Sequence, residues 1–148
     1  HRRGGPPIWV AGSAPATIER VGRHFDGWFP NGPDPAQYAD TWRAMREAAC
    51  AAGRSARAVT GAAYLTLAID EDARHAEGRM DQFLERYYGT RPDLMRKRQA
   101  CFAGSRSAAR DWLAAYAAAG VEHFCLRFAG DHERHMDIIA GLRGEIGL

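Results

Sequence analysis

From end to end the chain alternates short apolar, strand-like runs with longer stretches of helical periodicity. That order constrains the fold more than any composition figure, because β and α segments joined by short connections build a parallel sheet with helices packed outside it. Ile8 to Ala11, preceded by Gly-Gly-Pro-Pro and ended by Gly12, reads as a buried strand. Ser13 is placed to cap a helix with Pro15 in its first turn and Ile18, Val21 and Phe25 at helical spacing. Asp26-Gly-Trp-Phe-Pro30 is a turn into a very short strand. A long helix follows from about Pro35 to Ala52, with Tyr38, Trp42, Met45 and Ala49 on one face and Gly53 ending it. Val59 to Ile69 is a strand, and Asp70-Glu-Asp72 caps a helix carrying Met80, Phe83, Leu84 and Tyr87 that stops near Gly89. Thr90 to Ala103 is polar and Arg-rich, an irregular or helical excursion. Gly104-Ser105 then leads into a helix from Ala108 to Ala119, a strand from Val121 to Phe128 and a last helix from Asp131 to Ile146. Four βα units with one helical insertion suit either a small doubly wound domain or half of an eight-unit barrel, which takes ~250 residues.

Composition narrows the classes. With 148 residues, 46% of them hydrophobic, and 20 basic against 18 acidic side chains, the chain is too apolar and too near neutral to be disordered, and it fits a single domain, 1–148. No apolar run approaches the ~18 residues of a membrane span. The N-terminal apolar stretch is too short for a secretory leader. A chain opening on His1 rather than Met reads as a piece of a longer one. Lys97 is the only lysine, and the arginines are interspersed with Asp and Glu, so nothing points to nucleic acid or a membrane as partner. Cys50, Cys101 and Cys125 form no Cys-x-x-Cys pair. Cys50 among alanines and Cys125 inside an apolar strand read as buried reduced thiols, which places the protein in the cytoplasm.

Chemistry is most visible at Pro7-Ile-Trp-Val-Ala-Gly-Ser-Ala-Pro15. A strand ending in Ala11-Gly12-Ser13 directly before a helix leaves backbone N–H groups and a helix dipole facing one point, which is an anion site. Gly12 lets a phosphate approach the backbone and Ser13 can donate to it; the plainer alternative is a tight βα turn with a cap. Gly27-Trp28 ends a neighbouring strand and shares the same crevice, or else is an αβ turn with an aromatic core filler. His132 and His135 stand three apart, but without further ligands they read as a solvated helix end. His24 reads as a packed core histidine. His123 and Arg127 alternate with apolar residues in the last strand, either facing a barrel mouth or serving pairing and surface. Tyr87-Tyr88 reads as helix packing. Arg96-Lys-Arg98 is a solvated face or a contact for an anionic substrate.

Taken together, Pro-Pro-Ile-Trp-Val-Ala-Gly-Ser, then Asp-Gly-Trp-Phe-Pro, the helix ending Ala-Ala-Gly-Arg54, Ala103-Gly-Ser-Arg-Ser and the closing Ala119-Gly-Val-Glu-His-Phe-Cys-Leu-Arg-Phe128 resemble the C-terminal half of the luciferase-like monooxygenase superfamily. The resemblance covers essentially all of the chain. It implies a (β/α)8 TIM barrel of which this chain supplies strands five to eight plus a helical insertion. It implies a flavin-dependent oxidoreductase that oxygenates a small organic substrate with reduced FMN, the reduced flavin being supplied by a reductase and the protein forming a homo-oligomer. In one branch a deazaflavin coenzyme transfers hydride instead. The family's cofactor-phosphate loop maps onto Ala11, Gly12 and Ser13, with a second contact at Gly27 and Trp28. No catalytic residue transfers, because the first four strands are absent. A rival from another class is a non-catalytic half-barrel that holds a phosphorylated ligand.

Overall fold

The computed structural model describes residues 4–146. In chain order they form β1 (Trp9–Val10), α1 (Pro15–His24), β2 (Gly27–Trp28), α2 (Pro35–Ala51), β3 (Thr60–Ile69), α3 (Ala73–Tyr88), α4 (Pro92–Arg96), β4 (Ala100–Gly104), α5 (Arg106–Ala118), β5 (His123–Phe128) and α6 (His132–Arg143). Every strand pair among them is parallel, as βα alternation demands. β1 lies beside β2, and β2 beside the start of β3 with Gly27 opposite Thr60. β5 runs along the other edge of β3, from Ala62 opposite His123 to Leu67 opposite Phe128.

The excursion expected at Thr90–Ala103 holds α4 and then β4, a fifth strand that periodicity did not announce. β4 pairs with Leu65–Ile69 on the edge that β2 leaves free when its chain turns away. The carbonyl of Pro30 still accepts from the Tyr64 N–H (3.1 Å), and that of Asn31 accepts from the Ala100 N–H (2.9 Å). Ala-Cys-Phe-Ala-Gly carries little strand propensity of its own, so pairing makes it a strand.

The two faces of β3 bury different things. Leu65, Leu67 and Ile69 point to one side and join Ile18, Val21, Trp42, Met45, Leu113 and Leu142 in a core with α1, α2, α5 and α6. Ala68 points to the other side, where Met80, Leu84 and Met95 of α3 and α4 form a second cluster. α2 buries Tyr38, Trp42, Met45 and Ala49, the stripe its sequence spacing specified. Arg54, just past α2, donates to the carbonyls of Gly22 (2.5 Å) and Phe25 (2.8 Å) and so closes the C-terminal end of α1.

Several local expectations are corrected. Ser13 does not cap α1: Pro15 takes the first helical position, so the cap falls on Ala14, which has no side-chain acceptor. Cys50 and Cys125 are exposed rather than buried. Cys50 lies one place past Ala49, off the buried stripe of α2, and Cys125 alternates with Phe124 and Leu126 onto the face turned away from the outer helices. His24 is exposed in the last turn of α1. His135 is no solvated helix end. It is fully buried, donates from Nδ1 to the Asp131 carbonyl, accepts at Nε2 from the Ile69 N–H (2.9 Å), and stacks on Phe128 at 5.3 Å. Arg96 is half-buried and pairs with Glu77 (2.6 Å) and Asp81 (2.7 Å) of α3, while Lys97 and Arg98 are exposed as a solvated face.

Two glycines separate backbone need from tolerance. Gly120 has φ +107°, and a Cβ there would fall 2.4 Å from Trp42 Cδ1. Gly78 sits within α3 with nothing within 4 Å of a built Cβ. Gly120→Ala is expected to lower the unfolding free energy by about 2–4 kcal/mol. Gly78→Ala is expected to raise it by about 0.5–1 kcal/mol. Urea titration of the two variants checks both signs.

Candidate functional site

Ligands in open parallel sheets bind beyond the carboxyl ends of the strands. The first such end is the loop Ala11–Ala14 between β1 and α1, all of it exposed. Gly12 has φ +102°, a region that L side chains rarely adopt, although a Cβ would meet only the Thr17 side chain, at an ordinary 3.6 Å from Cγ2 and 3.8 Å from Oγ1. Conformation, not space, asks for glycine here. The N-terminus of α1 is left open: Ala14 offers no cap, Pro15 has no N–H, and the Ala16 amide has no intrahelical acceptor. Exposed loop, free amide and dipole together suit a phosphate.

Behind this loop stands Trp28, fully buried in β2. Its Nε1–H donates to the Gly12 carbonyl at 2.7 Å, and its ring packs on Tyr38 at 4.7 Å. Burial pushes the Tyr38 hydroxyl well above its ordinary range, so that ring stays neutral, with the Glu122 carboxylate adding to the effect. Gly27 is buried as well, and a Cβ there would lie 2.5 Å from Trp9 Cδ1. The structure therefore brings Ala11, Gly12 and Ser13 together in one accessible loop and places Gly27 and Trp28 underneath it. Trp28 holds the loop's backbone, and Gly27 admits the Trp9 ring.

Trp9, 37% exposed, begins a chain of rings on the face of the sheet opposite the outer helices. It meets Phe29 at 6.2 Å and His123 at 5.1 Å, and Phe29 meets Tyr64 at 5.9 Å. The chain ends on the guanidinium of Arg127, 5.0 Å from the centre of Tyr64. Arg127 is also within 5.0 Å of Phe83, 4.9 Å of Tyr87 and 5.4 Å of Tyr88 on α3. Its Nη2 donates to Thr66 Oγ1 (2.8 Å) and Gln99 Oε1 (2.6 Å), its Nε to Thr66 Oγ1 (3.3 Å) and its Nη1 to Tyr88 Oη (2.8 Å). Burial raises the neighbouring Cys101 thiol and the Tyr64 hydroxyl, while the Arg127 charge opposes both shifts.

The sequence offers Arg127 as a residue facing a barrel mouth or serving pairing and surface, but not the cluster around it, since Tyr87-Tyr88 reads as packing. Its partners lie 28, 39 and 61 residues from Arg127. The one available signal was a cation at an alternating position near the carboxyl end of a strand. Among the described residues no group of three or more His, Cys, Asp or Glu gathers as a metal site, and no helix is long and apolar enough to cross a membrane.

The family model of the luciferase-like monooxygenases matches residues 1–147, and the chain belongs to that family. Among solved structures it is similar to an F420-dependent secondary alcohol dehydrogenase in complex with an F420-acetone adduct. That likeness has 17% identity and a TM-score of 0.77, over 95% of this chain and 48% of that one. A riboflavin lyase with modified FMN and substrate riboflavin gives 17% identity and a TM-score of 0.75, over 96% and 44%. The coenzyme F420-dependent tetrahydromethanopterin reductase of Methanopyrus kandleri gives 21% and 0.65, over 90% and 48%. No curated protein sequence matches the chain significantly. At these identities the structural likeness is one of fold, and the chain spans less than half the length of each of these structures.

Trp28→Phe keeps the ring and removes the donor to Gly12. It is expected to cost about 1–2 kcal/mol, because the indole is buried and the carbonyl loses its partner. The 13C signal of the Gly12 carbonyl should move more than those of the α2 carbonyls. An unchanged Gly12 carbonyl signal in the variant would deny the indole its role.

Proposed function

We infer that this chain is the phosphate-anchoring half of a flavin-dependent oxidoreductase of the luciferase-like type, oxygenating a small organic substrate with reduced FMN. The observation that carries the reading is the exposed Gly12 loop before an uncapped α1, fixed from beneath by Trp28. Four further βα units from the longer protein would complete a (β/α)8 barrel, with the present chain as strands five to eight and α3, α4 and β4 as the insertion. Two edge strands fit this role: among the described residues β1 and β5, like the inserted β4, each pair on one side only, and an apolar groove lined by Leu113, Phe124, Leu126, Ile139 and Ile146 runs along β5. Three free thiols suit a cytoplasmic enzyme.

The residues present fit the cofactor's phosphate. Loop amides and the Ser13 hydroxyl would donate to its oxygens, and the α1 dipole favours its charge. Trp9, Phe29 and Tyr64 offer flat apolar surface on the face of the sheet opposite the outer helices, against which the cofactor's ring system would lie. When bound, the reduced cofactor supplies the electron pair, and the protein supplies position and shielding. A deazaflavin in place of FMN is the second reading, favoured by the F420 dependence of two of the similar structures.

Fluorescence titration of the chain with FMN and with riboflavin tests the anchor. Gly12→Asp, checked for native circular dichroism, is expected to weaken FMN at least about ten-fold, roughly 1.4 kcal/mol, with riboflavin affinity unchanged. FMN binding unaltered by the substitution would overturn the reading. Tight binding of deazaflavin coenzyme without FMN would favour the second.

A further inference from the structure

Arg127 carries a charge that the fold surrounds but does not neutralise. Every acceptor around it, Thr66, Gln99 and Tyr88, is neutral, and no carboxylate among the described residues pairs with it. Arg96, half-buried like Arg127, is by contrast paired with Glu77 and Asp81. Aromatic faces offset only part of the solvation that a half-buried cation gives up. A staple whose only task was to fasten α3 to the sheet would be better served by an apolar side chain.

Donor accounting adds a direction. Nη1 donates one N–H to Tyr88 Oη, which leaves its second N–H without an acceptor. Tyr88, having accepted, still has its own phenolic proton to give. Two adjacent donors, one of them charged, are therefore left over at the carboxyl end of β5, where parallel sheets bind ligands. The ring of Tyr87, 62% exposed, leaves the cluster open on one side. From there the aromatic chain through Tyr64 and Phe29 leads to Trp9, below the Gly12 loop.

We propose that Arg127 and Tyr88 form an oxyanion subsite, separate from the Gly12 loop, that holds the anionic head of the substrate while the rings of Tyr64 and Tyr87 hold its flat apolar body. The substrate class is then a small aromatic or apolar molecule bearing a carboxylate or phosphate. The assignment rests on the oxidoreductase reading for calling the ligand a substrate; the subsite itself needs no cofactor. Arg127 Nη1–H and Tyr88 O–H share the two oxygens of the head group, in the manner of a charge-assisted pair.

The test is titration of the cofactor-free chain with benzoate, with phenyl phosphate and with neutral benzamide, followed by the Arg127 Nε–H signal in 15N NMR spectra. Benzoate or phenyl phosphate should shift that signal saturably, benzamide should not, and the stronger anion names the head group. Tyr88→Phe, which keeps the ring, should weaken the anion about five- to ten-fold, a hydrogen bond to a charged group. Arg127→Lys, followed instead by the Gln99 side-chain amide signal, should weaken it further, and Gly12→Asp should leave it unchanged. Loss in Gly12→Asp would place the anion at the phosphate loop and overturn the proposal. So would equal binding of benzamide, or a Tyr88→Phe variant that binds like wild type. Failure of FMN to bind, with these shifts intact, would instead count against the cofactor reading alone.

Discussion

Hydrogen bonding along both edges of β3 is the constraint on which the other elements depend. Ten consecutive residues pair with β2 at the start, β4 at the end and β5 along the middle. As the central strand of a parallel sheet it is apolar on both faces, and helices pack on most of that surface. Its run of small and branched residues, Gly-Ala-Ala-Tyr-Leu-Thr-Leu-Ala-Ile, suits that position. α1, α2, α5 and α6 cover one face, and α3 with α4 covers the carboxyl-terminal half of the other. The half that remains carries Trp9, Phe29, Tyr64 and His123.

That arrangement explains how a short chain presents two kinds of chemistry at one end of a sheet. β1 and β2 are only two residues long, yet their register brings Val10 opposite Trp28 and lets the indole reach the Gly12 carbonyl. The loop is thus held by a donor from the next strand, and its amides remain free. At the far side, Arg127 and Thr66 are register partners on β5 and β3, so the guanidinium is positioned by the same ladder. Asp70, just past β3, ties the remaining loops. Its carboxyl is held below the usual carboxylate range by the Asp72 N–H, then by Arg134 and Arg79, so this bracing is present near neutral pH and fades as acid protonates it.

Where pattern and packing coincide, the sequence is legible. The stripe Tyr38-Trp42-Met45-Ala49 and the caps at Asp72, Ser105 and Asp131 follow from local spacing and local hydrogen bonds. The Ala11-Gly12-Ser13 loop and the family resemblance are legible for the same reason, since a strand, a glycine and a helix start lie in one short segment. β4 is not, because a five-residue segment with one aromatic among small residues becomes a strand only when β3 offers an edge. Period-two alternation shows that Cys125 and Phe124 face opposite ways without saying which face the helices take. Arg127 is the clearest case: its surroundings come from β3, α3 and the residue before β4, and no local window contains them.

The central claim is that the loop after β1 grips a cofactor phosphate. The most direct measurement is a 15N–1H spectrum of the chain titrated with FMN and, separately, with riboflavin. The account predicts that the amides of Gly12, Ser13 and Ala16 shift with FMN and stay in place with riboflavin, while the indole N–H of Trp28 follows Gly12. Shifts of equal size with both ligands, or confined to β3 and β5, would contradict it.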